Sequence, residues 1–277
     1  MSESKLLLID YYNLMYRNLY AMERLSFGGR KTGGIYGFIS ATAKYILRFK
    51  PTNIVVCTDR KPYIRSKIYP EYKMDRKASA DLDAVQFTNT VLELVFKTLG
   101  LPVIGLPGLE ADDIIGHLTQ KYFDKFDVII ASNDSDLLQL LEPNVIILGA
   151  KDKEWTLKSF NETYPGIKPY QWPIVTAMVG SHNGVPGIKG IGIKTAMKLL
   201  ISKTLPELVE YLDEHKEDLL RNVNLARLPL KAKYYPEPID IELPPMGEYN
   251  SAAFHKLLRI TGITLTSDME LAFGGTG

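Results

Sequence analysis

The sequence predicts an α/β protein: a mostly parallel twisted sheet flanked by helices in a three-layer arrangement. Three observations carry that expectation. Short, near-continuous apolar runs rich in β-branched residues recur at 5–9, 53–57, 102–106, 127–131 and 144–148, the pattern of strands buried on both faces. Longer stretches at 35–49, 85–99 and 111–123 carry apolar residues at helical spacing. The two kinds alternate as β-α-β-α-β-α-β-β, the order of a parallel sheet joined by helical crossovers.

Taken in order, KLLLI at 5–9 leads straight into Asp10. The helix at 35–49 connects it to NIVVC at 53–57, which holds the single cysteine, Cys57, as a buried strand residue rather than a nucleophile. The helix at 85–99 leads to PVIGL at 102–106, and the helix at 111–123 opens directly behind Glu110. DVIIA at 127–131 runs into SNDSD, and NVIIL at 144–148 closes the alternation. After Thr156 the character changes to shorter helical pieces, closely spaced glycines and proline-rich connections at 235–245.

At 277 residues the chain is long enough to bury a substantial core, as one large domain or as a core with a smaller one integrated. Its 45% hydrophobic and 23% charged content is that of an ordinary globular protein. A formal net charge of +1 leaves nucleic-acid binding to be decided by local charge. One cysteine excludes an intramolecular disulfide framework. Residues 6–9 are too short for a secretory apolar region, and no run approaches the roughly 18 apolar residues of a membrane span. The expectation is a cytoplasmic monomer with no membrane contact.

Seven carboxylates fall where strands end or a helix begins: Asp10, Asp59, Glu110, Asp112, Asp113, Asp134 and Asp136. Carboxyl ends of parallel strands share one sheet edge, so acids distant in sequence converge on one crevice. Acids after strands are also ordinary turn and cap residues, but four segments doing it together point further. So many anions need cations, and oxygen-only ligands without His or Cys favour Mg²⁺ or Mn²⁺ over Zn²⁺. That is the pattern of metal-assisted phosphoryl chemistry.

Two basic surfaces complement the acids. Residues 60–77 hold Arg60, Lys61, Arg65, Lys67, Lys73, Arg76 and Lys77 against Glu71 and Asp75, with Tyr63, Tyr69 and Tyr72 interleaved. Cations neutralise phosphates while tyrosines offer faces to unstacked bases. A solvated loop with tyrosines packed down is the bland alternative, and position directly behind Asp59 favours the functional one. Residues 184–200 carry Lys189, Lys194 and Lys198 and no acid, with glycines at 187, 190 and 192 ahead of a helix. Glycines permit close backbone approach and a helix start presents amides to an anion, so that of two readings, a plain glycine-rich turn between core helices and a helix–hairpin–helix clamp on duplex backbone, the glycine spacing favours the clamp.

Six segments, LLLIDYYNLMYR, TGGIYGF, VVCTDRKPYIRSKIYPEYKMDR, GLEADDIIGHL, IIASNDSDLLQLL and GVPGIKGIGIKTA, occur in this order from Leu6 onward. Together they resemble the 5′-nucleases of the flap-endonuclease superfamily, above all bacteriophage 5′-3′ exonucleases and the N-terminal nuclease domain of bacterial DNA polymerase I. The resemblance extends to about Leu228. It implies a PIN-like α/β core over 1–175 with an arch segment at about 69–85, and an integrated duplex-binding and C-terminal region over 176–277. It further implies Mg²⁺- or Mn²⁺-dependent phosphodiester hydrolysis near 5′ ends, at flaps, nicks or RNA–DNA junctions, with replication proteins as candidate partners. The seven acids fall on the family's metal-site positions, Asp10 and Asp59 counting as catalytic with Lys73 and Arg76, the basic pair that reaches the scissile phosphate. Arg17 and Tyr72 fall on substrate-contacting positions, with Arg65 in the same basic stretch. Gly187, Gly190, Gly192, Lys194 and Thr195 match the duplex-holding motif, which in relatives also holds K⁺.

One departure stands out. Relatives carry GD-x-x-DNIPG where this chain has Gly180-Ser181-His182-Asn183-Gly184-Val185-Pro186-Gly187, one residue shorter and without both aspartates. The expected arrangement is therefore one strong ion held by Asp10, Asp59, Glu110 and Asp112, and a weaker one near Asp112, Asp134 and Asp136. The alternative is a relative that binds branched DNA with weak or lost cleavage.

Overall fold

The computed structural model describes residues 4–74, 81–181 and 183–274. In chain order the first half comprises β1 (Lys5–Asp10), α1 (Tyr11–Ala21), the hairpin strands β2 (Ser26–Phe27) and β3 (Arg30–Lys31), α2 (Gly33–Phe49), β4 (Asn53–Cys57), α3 (Arg65–Ile68), α4 (Leu82–Leu99), β5 (Val103–Ile104), α5 (Ala111–Tyr122) and β6 (Asp127–Ala131). Then come β7 (Val145–Leu148), β8 (Glu154–Trp155), α6 (Leu157–Thr163), α7 (Trp172–Val179), a second hairpin of β9 (Gly180–Ser181) and β10 (Val185–Pro186), α8 (Ile193–Ser202), α9 (Leu205–Tyr211), α10 (Lys216–Ala226), α11 (Ser251–Ile260) and α12 (Ser267–Gly274).

The main sheet has the order β5-β4-β1-β6-β7-β8, parallel throughout except for the β8 edge. Its strands are apolar on both sides because both faces are covered. Leu6 and Leu8 of β1 join Val55, Cys57, Val128 and Ile130 in a core beneath α5 to α10. Leu7 and Ile9 point the other way, with Ile54, Val56 and Ile129, into a core with α1, α2, α4, α11 and α12. The period-two alternation of a strand thus feeds two helical layers. Residues beyond 175 contribute to both cores.

The direction of winding reverses at β1, with β4 on one side and β6 on the other. The register sets Asp10 beside Cys57, two residues before Asp59, and Ile9 beside Ala131, just ahead of Ser132. Three neighbouring strands therefore deliver their carboxyl ends to one crevice, at the switch point where open α/β sheets bind ligands.

Beyond the added hairpins, α3 and the β8 edge, the structure differs from expectation in three elements. The run at 102–106 yields only the two-residue strand β5, whose neighbour Pro102 still accepts from the Val56 amide of β4 at 2.9 Å. α4 begins at Leu82, capped by the Asp81 side chain on the Ala84 amide, a turn earlier than its apolar pattern. α1 is additional: its aromatic-rich sequence hides a helical stripe of Tyr11, Leu14, Met15, Asn18 and Leu19 on the buried side, and Asp10 caps it by accepting from the Asn13 amide. Among the described residues no helix is long and apolar enough to cross a membrane.

α1 and α2 pack closely through small residues. A Cβ built on Gly37 stands 2.6 Å from the Cβ of Asn18, an atom that moves only with the α1 backbone. Gly37→Ala gains about 1 kcal/mol of helix propensity, but overpacking costs about 1–3 kcal/mol. The substitution is expected to lower the urea midpoint at unchanged m-value; an increase would show that α1 yields freely.

Candidate active site

Asp10 ends β1 with its side chain 5% exposed. It accepts from the Asn13 amide at 3.2 Å and from Ser132 Oγ at 2.7 Å. Burial pushes its pKa up to about 7, with Asp59 and Asp134 adding repulsion against the two hydrogen bonds. Asp59, just past β4, accepts from the Ala111 amide at 2.8 Å and from the Tyr63 hydroxyl at 2.9 Å. Asp134 caps the short 3₁₀ turn Ser135–Leu140 by accepting from the Asp136 amide. Asp136 is likewise pushed up to about 7 by burial and then Asp134, against the pull of Arg65 and Lys73. Asp112, partly exposed yet walled in by other acids, is raised well above the carboxylate range by burial and by Asp134 and Asp10.

Glu110 and Asp113 behave differently, because Arg65 reaches both. Arg65 is 3% exposed. Its Nη1 and Nη2 grip Asp113 at 2.5 and 2.8 Å, Nη1 also reaches Glu110 Oε2 at 3.0 Å, and Nε donates to the Leu225 carbonyl at 2.8 Å. Burial alone would raise Asp113, but the Arg65 charge, its hydrogen bonds and the Leu230 and Glu110 amides outweigh it and hold Asp113 below the usual range. Asp113 is thus the fixed partner of a buried guanidinium, and Arg65 is turned inward.

Tyr72 is also turned inward. It is 7% exposed, packs on Val185 and Leu225, and donates to Glu110 Oε2 at 2.8 Å. Lys73 forms an ion pair with Glu110 Oε1 and lies over the rings of Tyr63 and Tyr72 at 5.1 and 5.3 Å. Its amide donates to the Asn183 carbonyl at 2.8 Å. Arg17 is partly buried, its guanidinium donating to the Tyr45 hydroxyl at 3.2 Å. Arg76, with the rest of residues 75–80 in the arch segment, and His182 lie outside the described residues.

Ser181 and Asn183 share a small cleft with Tyr72, Asp136 and Asn222. Neutral side chains thus face Asp136 where the family carries acids. Lys189, Lys194, Thr195 and Lys198 are all exposed around the start of α8. The glycines ahead of them divide: an added Cβ on Gly190 or Gly192 meets nothing within 4 Å, whereas on Gly187 it stands 2.3 Å from the Val179 carbonyl. Gly187 is therefore required by the β9–β10 hairpin, and only Gly190 and Gly192 leave backbone open to a ligand.

Sequence reasoning missed two supports. Ser132 holds Asp10, although it stands inside the acid-rich motif already noted. Tyr63 holds Asp59 and underlies Lys73, a hydroxyl role that neither a stacking face nor a packed-down ring had implied.

The acids suit a hard divalent cation, since they supply only oxygen and their mutual repulsion is relieved by positive charge. Among the described residues, however, no three acid, His or Cys side chains close on one point to hold an ion. Glu110 is engaged by Arg65, Tyr72 and Lys73 instead. The Cys57 thiol, fully buried beside Asp10, is raised well above its ordinary value by burial and by Asp10 and Asp112.

An acid-lined crevice at the switch point of a parallel sheet, with a lysine beside it, marks a protein built to handle phosphodiesters. The profile of the 5′-3′ exonuclease N-terminal resolvase-like domain matches residues 5–165. A 5′-3′ exonuclease of Aquifex aeolicus is 37% identical over 70% of this chain and 68% of its own length, and that of Bacillus subtilis 33% over 76% and 75%. DNA polymerase I of Caldicellulosiruptor bescii is 35% identical, with this chain spanning 27% of its length. The chain belongs to the 5′-3′ exonuclease family. In fold it is similar to the bacteriophage T5 D15 flap endonuclease in a complex with DNA and metal ions (TM-score 0.69, 21% identity, 81% of this chain and 89% of that one) and to the catalytic core of Rad2 with DNA (0.63, 14%, 99% and 92%).

The raised acids give a pH dependence. A carboxyl whose folded-state pKa exceeds its unfolded value of about 4 favours folding below that value, and the advantage is lost as pH rises through the folded pKa. For Asp10 and Asp136 that window runs from about 4 to about 7. Metal-free protein is expected to lose stability across it. Asp136→Asn, which removes one repelling charge, should raise stability in EDTA by about 1 kcal/mol near pH 8 and by less near pH 5, below the value of about 7 at which this acid loses its proton. Equal melting shifts at both pH values would contradict the repulsion.

Proposed function

We propose that the protein is a divalent-metal-dependent, structure-specific 5′-nuclease that hydrolyses phosphodiesters near 5′ ends, flaps and nicks in DNA and at RNA–DNA junctions. The observation that carries this reading is the meeting of Asp10, Asp59, Asp112, Asp134 and Asp136 at the β4-β1-β6 switch, in a chain of the 5′-3′ exonuclease family. The DNA and metal ions in the bacteriophage T5 D15 complex agree with it.

Asp10, Asp59, Glu110 and Asp112 are the residues to hold one Mg²⁺ or Mn²⁺, and Asp134 and Asp136 a second, weaker one beside neutral Ser181 and Asn183. Bound divalent ions supply charge to the phosphate and acidify a water that serves as nucleophile. Ser132 and Tyr63 fix Asp10 and Asp59 so that both face the crevice. Lys73, with Arg76, meets charge developing on the phosphate. Lys189, Lys194, Lys198 and the open backbone at Gly190 and Gly192 grip duplex phosphates as a helix–hairpin–helix-type clamp, with K⁺ as an added ligand. Replication proteins are candidate partners.

The decisive assay uses a labelled 5′-flap duplex with and without Mg²⁺. Cleavage near the junction only with metal is expected, and binding without cleavage at any Mg²⁺ or Mn²⁺ concentration overturns the proposal. Asp59→Asn should lower single-turnover rates by at least about a hundredfold, on the order of other losses of charge stabilisation, while DNA binding in Ca²⁺ persists.

Lys194→Ala should separate gripping from chemistry. Duplex affinity should fall, and the slope of log affinity against log salt should lessen by about one. At saturating DNA the cleavage rate should stay near that of the unsubstituted protein. A reduced rate with unchanged salt dependence would place Lys194 outside the grip.

A further inference from the structure

We propose that Lys73 is a place-holding cation: in the metal-free protein its ammonium occupies Glu110, and the first divalent ion enters by displacing it. This rests on the metal reading above and adds how the site is filled.

Glu110 is buried, and its oxygens are divided. Oε2 accepts from Arg65 at 3.0 Å and from Tyr72 at 2.8 Å, while Oε1 is paired with Lys73. The first two donors are fixed. Arg65 is held by both oxygens of Asp113 and by the Leu225 and Arg227 carbonyls, and Tyr72 is packed on Val185 and Leu225. Lys73 is the movable donor. Its backbone amide is tied to Asn183, but its charged end is held by ring faces and one carboxylate oxygen. The same ammonium offsets the repulsion felt by Asp112 and Asp136.

A divalent ion at these acids does the work of Lys73 with twice its charge, and it repels an ammonium at contact distance. Glu110 Oε1 cannot serve both. Once displaced, the lysine keeps its tethered backbone and presents its charge to an anion instead. Metal arrival therefore frees the cation that a phosphate needs, which links the two binding events through one side chain.

The test uses full-length protein without DNA. Mn²⁺ titration calorimetry on the unsubstituted protein, Lys73→Met, Glu110→Gln and the double variant should show about tenfold tighter first-ion binding for Lys73→Met. Methionine keeps the stem on the tyrosine rings and removes the charge. The gain should vanish in the Glu110→Gln background. Independently, mass-spectrometric acetylation of the unsubstituted protein should find Lys73 protected in EDTA and several-fold more reactive in Ca²⁺, which needs no folded variant. Equal Mn²⁺ affinity with and without Lys73, or a Lys73 acetylation rate indifferent to Ca²⁺, overturns the exchange while leaving the metal reading intact. Absence of Mn²⁺ binding in every variant overturns both.

Discussion

The site depends on the buried fork between Arg65 and Asp113. Through one guanidinium it joins α3, the start of α5 and the carbonyls that end α10, so regions more than 150 residues apart share a single fixed point. A buried ion pair is weak evidence of net stabilisation, but losing either partner strands a charge and costs about 3–5 kcal/mol. Its value here is geometric. Asp113 fixes Arg65, Arg65 and Tyr72 fix one oxygen of Glu110, and the first turn of α5 then presents Asp112 to the crevice from a set position.

Around that fixed point the acids are held against their own repulsion. Asp10, Asp112 and Asp136 all sit above the carboxylate range, first through burial and then through the charge of neighbouring acids, so the folded protein gathers acids that Arg65 and Lys73 only partly offset. The two apolar cores on either side of the sheet supply the stability that makes this tolerable. A site strained in this way is poised for an external cation, and function takes precedence over local stability.

Much of this was legible in the sequence. β1, β4 and β6 are apolar on both faces, so their runs are continuous and their ends unambiguous; Asp10, Asp59 and Asp134 follow from them. α1 was hidden because Tyr12, Tyr16 and Tyr20 dilute its apolar stripe on the outer side. Asp112 and Asp113 are adjacent in sequence but about 100° apart around a helix, and nothing in their spacing tells which one finds a buried arginine. Tyr72 and Tyr63 suffer the same ambiguity: a tyrosine among cations suits a stacking platform and a hydroxyl donor equally well, and only packing separates the two. Gly187 shows the limit from the other side, since a Cβ there would meet the Val179 carbonyl, a packing reason that motif spacing does not disclose.

Cys57 adds a chemical consequence. It is the lone cysteine, it pairs in register with Asp10, and it lies completely buried. Burial and the neighbouring carboxylates keep it a thiol, and a thiol is both a poor soft ligand and a sluggish reductant. The acids therefore present only oxygen to the crevice although sulfur lies one strand away, and it is the sheet, by enclosing that thiol, that keeps it from soft metals and from peroxide.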